Sequence, residues 1–389
     1  MADAPPMICT TLLGGLSALA LLDLPLPEVE PNQTRQTVTP ATLSASAVNA
    51  FTGTCRGFDA TPESTATDTR DLWRVTLAAN PLLVQRHTLA LTTSGTQGHT
   101  GVVVGVQATG GAVDPASMVS LQSTTINTIP ARYCAVYTLG NAAPSFLYRV
   151  TGSSSSSSPY TVSLSSQTIS VPDALPCSIA PGPVTISTVG RTTLNTKLFL
   201  FDGDTMAPIA GAVNDDAPLS PTTGSPQSTL ARTLQPGRYI VAIANGGAVD
   251  DRSPPADDRV ATQPSWFLTE SPGLLVNGSS TATGDFSFSV TDAYGTRNVT
   301  AAKPGAYGIA FLRITVEPRC GWADVGRQGG VPCSDNTLDN NDFVAYVHAF
   351  FTANMVVADL GTTGGVRGRD QQLNNNDWII FLDEFFNGC

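Results

Sequence analysis

The stretch TLNTKLFLFDGDTMAPIAGAVNDD, residues 193–216, is followed by STLARTLQPGRYIVAIANGG, residues 228–247, and later by GDFSFSVTD, residues 284–292. In order these read as a strand ending at Asp202-Gly203, a turn at Asn214-Asp215-Asp216, a strand, a Pro236-Gly237 turn and a closing strand. Leu198, Leu200, Tyr239, Val241, Ile243, Phe286, Phe288 and Val290 recur with a period of two. Successive side chains of a strand point to opposite faces, so these residues line one face and are the expected core. Asp202, Asp204, Asp215 and Asp216 sit where Asp and Asn favour turns through local hydrogen bonds. Several acids at one end of a sandwich also make an oxygen cluster suited to a cation.

Toward the N-terminus the same grammar continues. The runs at 72–78, 87–93, 101–108, 133–139 and 145–151 alternate apolar and polar residues between Gly, Pro, Ser and Asn clusters, a sandwich-like spacing. The run Ser153–Ser158 reads as a hairpin loop, because another strand, 160–166, follows it. The expectation is a mainly β protein of two jelly-roll-like β-sandwich domains, 36–170 and 171–318, with a segment 1–35 before them and a small α-helical module, 319–389, behind. The 171–318 region resembles the pre-peptidase C-terminal-like family, small sandwiches attached to secreted bacterial proteins. That resemblance implies an accessory or adhesive module without an active site.

The last seventy residues repeat themselves. Residues 323–351 align with 358–386 at an offset of 35 without a gap, with 13 of 29 positions identical. Each copy carries an Asp (Asp324, Asp359), a glycine-rich stretch, a second Asp (Asp335, Asp370) and a third (Asp342, Asp377) at the start of a helical period. Calcium takes six to eight oxygens, and from the second Asp onward the spacing follows an EF-hand loop, with backbone carbonyls of Thr337 and Gln372 between the acids. The expected ligands are Asp324, Asp335, Thr337 and Asp342 in one copy and Asp359, Asp370, Gln372 and Asp377 in the other. A second reading has Asp342 and Asp377 capping the helices. Phe343, Val347, Trp378 and Leu382 lie on apolar helix faces that must be buried against each other or against a partner.

With the Asn-Asn-Asp helix entries and the terminal Gly388-Cys389, this tail resembles the dockerin family, in its planctomycete-like variant. The resemblance covers residues 320–389 only. It implies Ca²⁺-dependent docking onto a cohesin-like β-sandwich on another chain.

Composition bounds the setting. With 13% charged residues, a net charge of −11 and no basic run, the chain offers nothing to track phosphates. Lysine occurs only at 197 and 303, which leaves little attraction to anionic membranes. The seven cysteines, 9, 55, 134, 177, 320, 333 and 389, form no metal-type spacing. In an oxidising compartment the natural pairs are Cys320–Cys389, closing the repeat, and Cys55–Cys134, bridging the first sandwich. Residues 8–26 are apolar but short and interrupted for a membrane span. They read either as an arm that must be buried in its own chain or a neighbour, or as an uncleaved signal-like segment. Asn32, Asn277 and Asn298 begin N-glycosylation sequons, and the Ser/Thr-rich loops invite a sugar coat. No nucleophile elbow, HExxH, P-loop or dinucleotide fingerprint is present, and His87, His99 and His348 form no constellation.

The expected function is therefore non-catalytic, secreted or on the cell surface. One form is a structural filament of copies of this chain, joined head to tail by arm and docking tail. The alternative is calcium-dependent anchoring on a separate cohesin-like scaffold.

Overall fold

The computed structural model describes residues 24–30, 32, 37–44, 48–55, 70–78, 82–93, 99–109, 112–113, 118–124, 132–140, 143–152, 159–215, 227–245, 248–250, 265–267, 274–276, 284–305 and 307–388. Strands account for 51% of the described residues and helices for 11%, in agreement with the mainly β expectation.

Four sheets stack in layers. The outermost runs through Ser265–Phe267, Thr100–Thr109, Ser145–Thr151, Arg70–Leu77 and Thr39–Leu43. The next has the order Leu26–Pro27, Ala50–Thr54, Pro159–Thr168, Val84–Thr93, Arg132–Leu139, Leu274–Val276 and Ala248–Asp250. These two enclose the first core, where Phe51, Trp73, Phe146, Tyr148 and Tyr160 are fully buried. The third sheet is Pro208–Asn214, Thr196–Asp202, Gly237–Asn245 and Ala310–Val316; the fourth is Thr229–Leu234, Gly182–Ser187, Phe286–Asp292 and Gly295–Ala301. Between them Leu198, Leu200, Val241, Ile243, Phe286, Phe288 and Val290 form the second core, with Tyr239 packed at its edge.

A third core joins the two sandwiches. Val84, Ala135 and Tyr137 on the second sheet meet Phe199, Phe201, Ile240, Ala242 and Ala244 on the third. The strand TKLFLFD is thus buried on both faces, Leu198 and Leu200 facing one core and Phe199 and Phe201 the other. A strand covered on both sides loses its apolar–polar alternation. The Tyr137 hydroxyl donates to the Tyr307 carbonyl at 3.1 Å, and the Tyr307 hydroxyl donates to the Ser123 carbonyl at 2.7 Å, so the seam is also hydrogen-bonded.

Two sequence expectations need correction. The 171–318 region is not one self-contained sandwich, since Leu274–Val276 joins Arg132–Leu139 and Ser265–Phe267 joins Thr100–Thr109, both in the first sandwich. Gln122 anchors this return, donating from Nε2 to the Val276 carbonyl at 2.8 Å and accepting the Ala135 amide on Oε1 at 2.6 Å. An excursion from one sandwich that adds strands to the other has no signature in local periodicity. Second, Cys55 and Cys134 do not bridge: both are buried thiols. Cys55 ends the strand Ala50–Thr54, and two strands separate that strand from Arg132–Leu139. Three interstrand steps come to roughly 14 Å, about twice the Cα separation a disulfide tolerates.

The disulfide between Cys177 and Cys333, with Cα atoms 5.4 Å apart, staples the second sandwich to the tail. Cys320 is also disulfide-bonded; Cys389, its expected partner, lies outside the described residues, as do Cys9, most of the N-terminal segment and the serine run. No helix among the described residues is long and apolar enough to cross a membrane.

Candidate docking module and candidate metal centre

Each copy of the tail repeat is a two-residue-per-strand hairpin, Gly326–Arg327 with Val331–Pro332 or Gly361–Thr362 with Val366–Arg367, followed by a helix, Asn340–Phe351 or Asn375–Asn387. Asp339 and Asn374 are the N-caps, and in both copies the third helical residue, Asp342 or Asp377, returns a bond to the cap amide in a capping box.

The aspartates expected to hold calcium are engaged by the backbone, with matching bonds in both copies except that Asp324 accepts one amide more than Asp359. Asp342 Oδ1 accepts the amides of Val325 and Gly326 at 2.8 and 2.7 Å, and Oδ2 accepts that of Asp339 at 2.9 Å. Asp377 repeats this with Leu360, Gly361 and Asn374, each at 2.8 Å. Asp324 takes the amides of Asp335 and Asn336, both at 2.9 Å, and of Cys320 at 3.0 Å. Asp359 takes those of Asp370 and Gln371 at 3.1 and 2.8 Å. Asp335 and Asp370 close turns onto the amides of Thr337 and Gln372 at 3.1 and 3.0 Å. Burial raises the carboxyl of Asp342 to about 6 against these bonds, and that of Asp324 also rises. The glycine before each clamp is required by space: a Cβ on Gly326 or Gly361 would lie 2.3 or 2.6 Å from the carbonyl oxygen of Asn341 or Asn376.

The two helices pack on a pseudo-two-fold axis. Tyr346 and Phe381, equivalent at the 35-residue offset, stack with centroids 3.9 Å apart and planes 2° from parallel. Reciprocal pairs flank them, Phe343 with Phe385 at 6.1 Å and Trp378 with Phe350 at 5.2 Å. Of the residues expected to offer an interface, Trp378 and Leu382 pack partly buried against the module core, Val347 is half-buried, and Phe343 touches Phe381 and Phe385 but stays 39% exposed. Three exposed apolar positions recur in both copies, Val331, Val344 and Phe351 in one and their counterparts by offset, Val366, Ile379 and Phe386, in the other; Phe343, Met355 and Val356 are exposed as well. Phe351 and Phe386 are 77% and 78% exposed.

Among the described residues, carboxylate oxygens converge elsewhere. One ligand atom from each of Glu28, Glu30 and Asp71 lies within 4.8 Å of the others. Asp71 belongs to the strand Arg70–Leu77 and points to the same side as Trp73, into the mouth of the first sandwich. Glu28 reaches in from beyond Leu26–Pro27, its Oε1 accepting the Thr54 amide at 2.8 Å. Gly53 makes room: a Cβ there would lie 2.2 Å from Glu28 Oε2 and 2.5 Å from the Tyr160 hydroxyl. Asp71 is fully buried beside the Tyr160 hydroxyl and the Glu28 carboxyl; Glu28 Oε2 and both amide atoms of buried Asn32 have no hydrogen-bond partner. Burial pushes the Asp71 carboxyl up to about 9, the Tyr160 hydroxyl opposing and Glu28 adding to the rise. An all-oxygen set of this spread suits a hard cation of calcium size, whose bonds of about 2.3–2.6 Å allow ligand oxygens up to about 5 Å apart. The sequence reading missed these residues because Glu28 and Asp71 are 43 positions apart, and only sheet stacking brings them together. Asn32, being buried, does not present its sequon, whereas Asn298 is exposed.

Asp202 and Asp204 act as turn residues. Asp202 Oδ1 accepts the amides of Asp204 and Thr205 at 3.1 and 2.7 Å, which holds its carboxyl below the usual range, and Asp204 pairs with Arg238. Asp215 is buried and Asp216 lies outside the described residues.

No known protein family and no curated protein matches the chain. Among solved structures it is similar to the pre-peptidase C-terminal domain of collagenase from Bacillus anthracis, at 11% identity and a TM-score of 0.21, over 33% of this chain and 96% of that one. At that TM-score the likeness carries no argument beyond naming a neighbour.

Proposed function

We propose that this chain is a non-catalytic extracellular attachment protein, in which the stacked sandwiches carry a tail that docks onto a separate β-sandwich partner at the cell surface. The observation that supports this reading is the doubled set of exposed apolar residues, Val331, Val344 and Phe351 with Val366, Ile379 and Phe386. Single exposed apolar side chains are ordinary on a protein surface. The same three positions exposed in both copies, around an axis whose aromatic residues are already buried, offer a partner two equivalent faces. The Cys177–Cys333 disulfide suits an oxidising, extracellular setting.

Anchoring is favoured over head-to-tail assembly because Leu26–Pro27, the described part of the N-terminal segment that was expected to act as an arm, already pairs in parallel with Ala50–Thr54 of its own sheet. The proposed position for Ca²⁺ is the Glu28, Glu30 and Asp71 group, supported by the convergence of their oxygens and by the partnerless Oε2 of Glu28.

The test is the double variant Phe351→Ser with Phe386→Ser, scored by the fraction of protein retained on the producing cells. Release into the medium with an unchanged unfolding midpoint is expected. Full retention rejects the docking face, and concentration-dependent oligomers of the wild type that the variant loses would replace anchoring by self-assembly.

A further inference from the structure

A cavity of about 210 Å³ lies where the second sandwich meets the tail, beside the Cys177–Cys333 disulfide. Three arginines line it and no acidic residue does. Arg297 comes from the strand Gly295–Ala301, Arg319 follows Ala310–Val316, and Arg369 follows the hairpin of the second tail copy. Each guanidinium is already aimed by other contacts. Arg297 Nη2 is 3.3 Å from Asp292 Oδ2. Arg319 lies over the Tyr294 ring at 4.3 Å. Arg369 Nη1 donates to the carbonyls of Met355 and Val356 at 3.0 and 2.7 Å.

What remains is a set of buried donors without partners: Nη1 of Arg297, Nε of Arg319, Nε of Arg369 and the hydroxyl of Ser334, all on residues of this one wall. The acids behind the wall are committed. Asp292 also accepts the amides of Ala180 and Tyr294 at 2.9 Å, and Asp324 and Asp359 clamp the tail loops. Burial, with Arg297 as a like-charged neighbour, lowers the pKa of both Arg319 and Arg369. A buried guanidinium donor without an acceptor is destabilising, and three around one space point to an acceptor that fills it.

We propose that this cavity binds an oxyanion, a carboxylate, sulfate or phosphate group held by Arg297, Arg319 and Arg369 with Ser334. Guanidinium groups suit such ligands because their planar N–H pairs match paired oxygens. Most of the rest of the wall, including Trp322, Val325, Val357 and Leu360, is apolar, with Asn354 as a further polar residue, and accommodates a small carbon body attached to the anionic head. The site spans two units, with Arg297 from the sandwich, Arg369 and Ser334 from the tail and Arg319 at their junction, so occupancy would tie tail orientation to the ligand. It stands independently of the docking face and of the carboxylate group at the first sandwich.

The experiment is calorimetric titration of the full chain with sodium benzoate, inorganic phosphate and sulfate, against chloride at equal ionic strength. Saturable one-to-one binding of at least one oxyanion is expected, weakened at least about tenfold in Arg319→Gln, the loss of one charge-assisted hydrogen bond. Tighter binding of benzoate would assign an apolar-bodied ligand; equal or tighter phosphate or sulfate would assign the head group alone. Ser334→Phe, which fills the cavity without removing a charge, is expected to abolish binding and keeps the test valid should Arg319→Gln fail to fold. Absence of binding by all three anions, or binding unchanged in both variants, overturns the proposal.

Discussion

Two regions of this protein bury carboxylates, and they handle them in opposite ways. In the tail, Asp342 and Asp377 each accept three backbone amides, and Asp324 and Asp359 hold the preceding loop in the same manner. At the mouth of the first sandwich, Asp71 is as deeply buried, faces two other carboxylates, and meets the Tyr160 hydroxyl in place of backbone amides. The first set of carboxylates is met by backbone amides; the second sets three carboxylates side by side. Acid spacing alone does not distinguish a cation loop from an amide clamp, because both need a carboxylate pointed back at the chain that carries it. The partners that surround the carboxylates distinguish them.

The largest expected effect tests the tail. Asp342→Ala or Asp377→Ala strands three amides, and at about 1–3 kcal/mol for each buried donor left unsatisfied the loss is of the order of 4 kcal/mol. Denaturant unfolding of the tail should show it equally with Ca²⁺ and with EGTA. A loss that appears only when Ca²⁺ is present would make these residues ligands and erase the contrast.

The next effect tests the other side. Calcium at a hundredfold excess over its dissociation constant should stabilise the folded chain by about 2.7 kcal/mol, read as a raised unfolding midpoint. Asp71→Asn and Gly53→Ala should abolish the rise, the latter because a Cβ collides with the Glu28 carboxylate. Asp377→Ala should keep it for the unfolding of the first sandwich.

A smaller effect comes from a neutral group buried between the same two sheets. His87 hydrogen-bonds through Nδ1 to Ser166 Oγ at 2.9 Å and through Nε2 to Thr138 Oγ1 at 2.8 Å, and burial lowers its pKa to about 4. The unfolded chain takes up this proton near pH 6.5 and the folded chain only near 4. The contribution is therefore fully present above pH 6.5 and lost as pH falls toward 4. Between pH 7 and 5 the loss is about 2 kcal/mol at 1.36 kcal/mol per pH unit, and His87→Gln should flatten that slope. An unchanged slope would assign acid sensitivity to the carboxylates.

The smallest effect separates helix capping from clamping. Asp339→Ala removes the N-cap bond to Asn341 at 2.6 Å and should cost about 1 kcal/mol, well below the clamp variants. Equal losses would mean that Asp342 acts chiefly as part of the capping box.

Much of the fold was legible along the chain. The period-two runs located the inward residues of the second core, and the 35-residue repeat located both tail helices; Asp342 and Asp377, read as caps, are the third residues of capping boxes whose N-caps are Asp339 and Asn374. Legibility failed where a residue's role depends on something distant. Phe199, Phe201 and Ile240 break the alternation of their strands because a second sheet covers their outer face. Cys333 pairs across 156 positions with Cys177. Of the interface residues expected on the tail helices, Trp378 packs against Tyr346 and Phe350 of the other copy, whereas Phe343 stays 39% exposed.

Sequence by itself therefore determined what local periodicity and self-similarity encode: β-strands with one apolar face, turn aspartates, and a duplicated loop-and-helix unit whose acids start the helices. Tertiary structure alone decided which faces are buried twice, which strands of residues 248–276 return to the first sandwich, and which carboxylates converge. The physical reason is that burial and hydrogen-bond satisfaction are properties of three-dimensional neighbours. Glu28 meets Asp71, and Arg297 meets Arg369, only because sheets stack and a tail folds back against them.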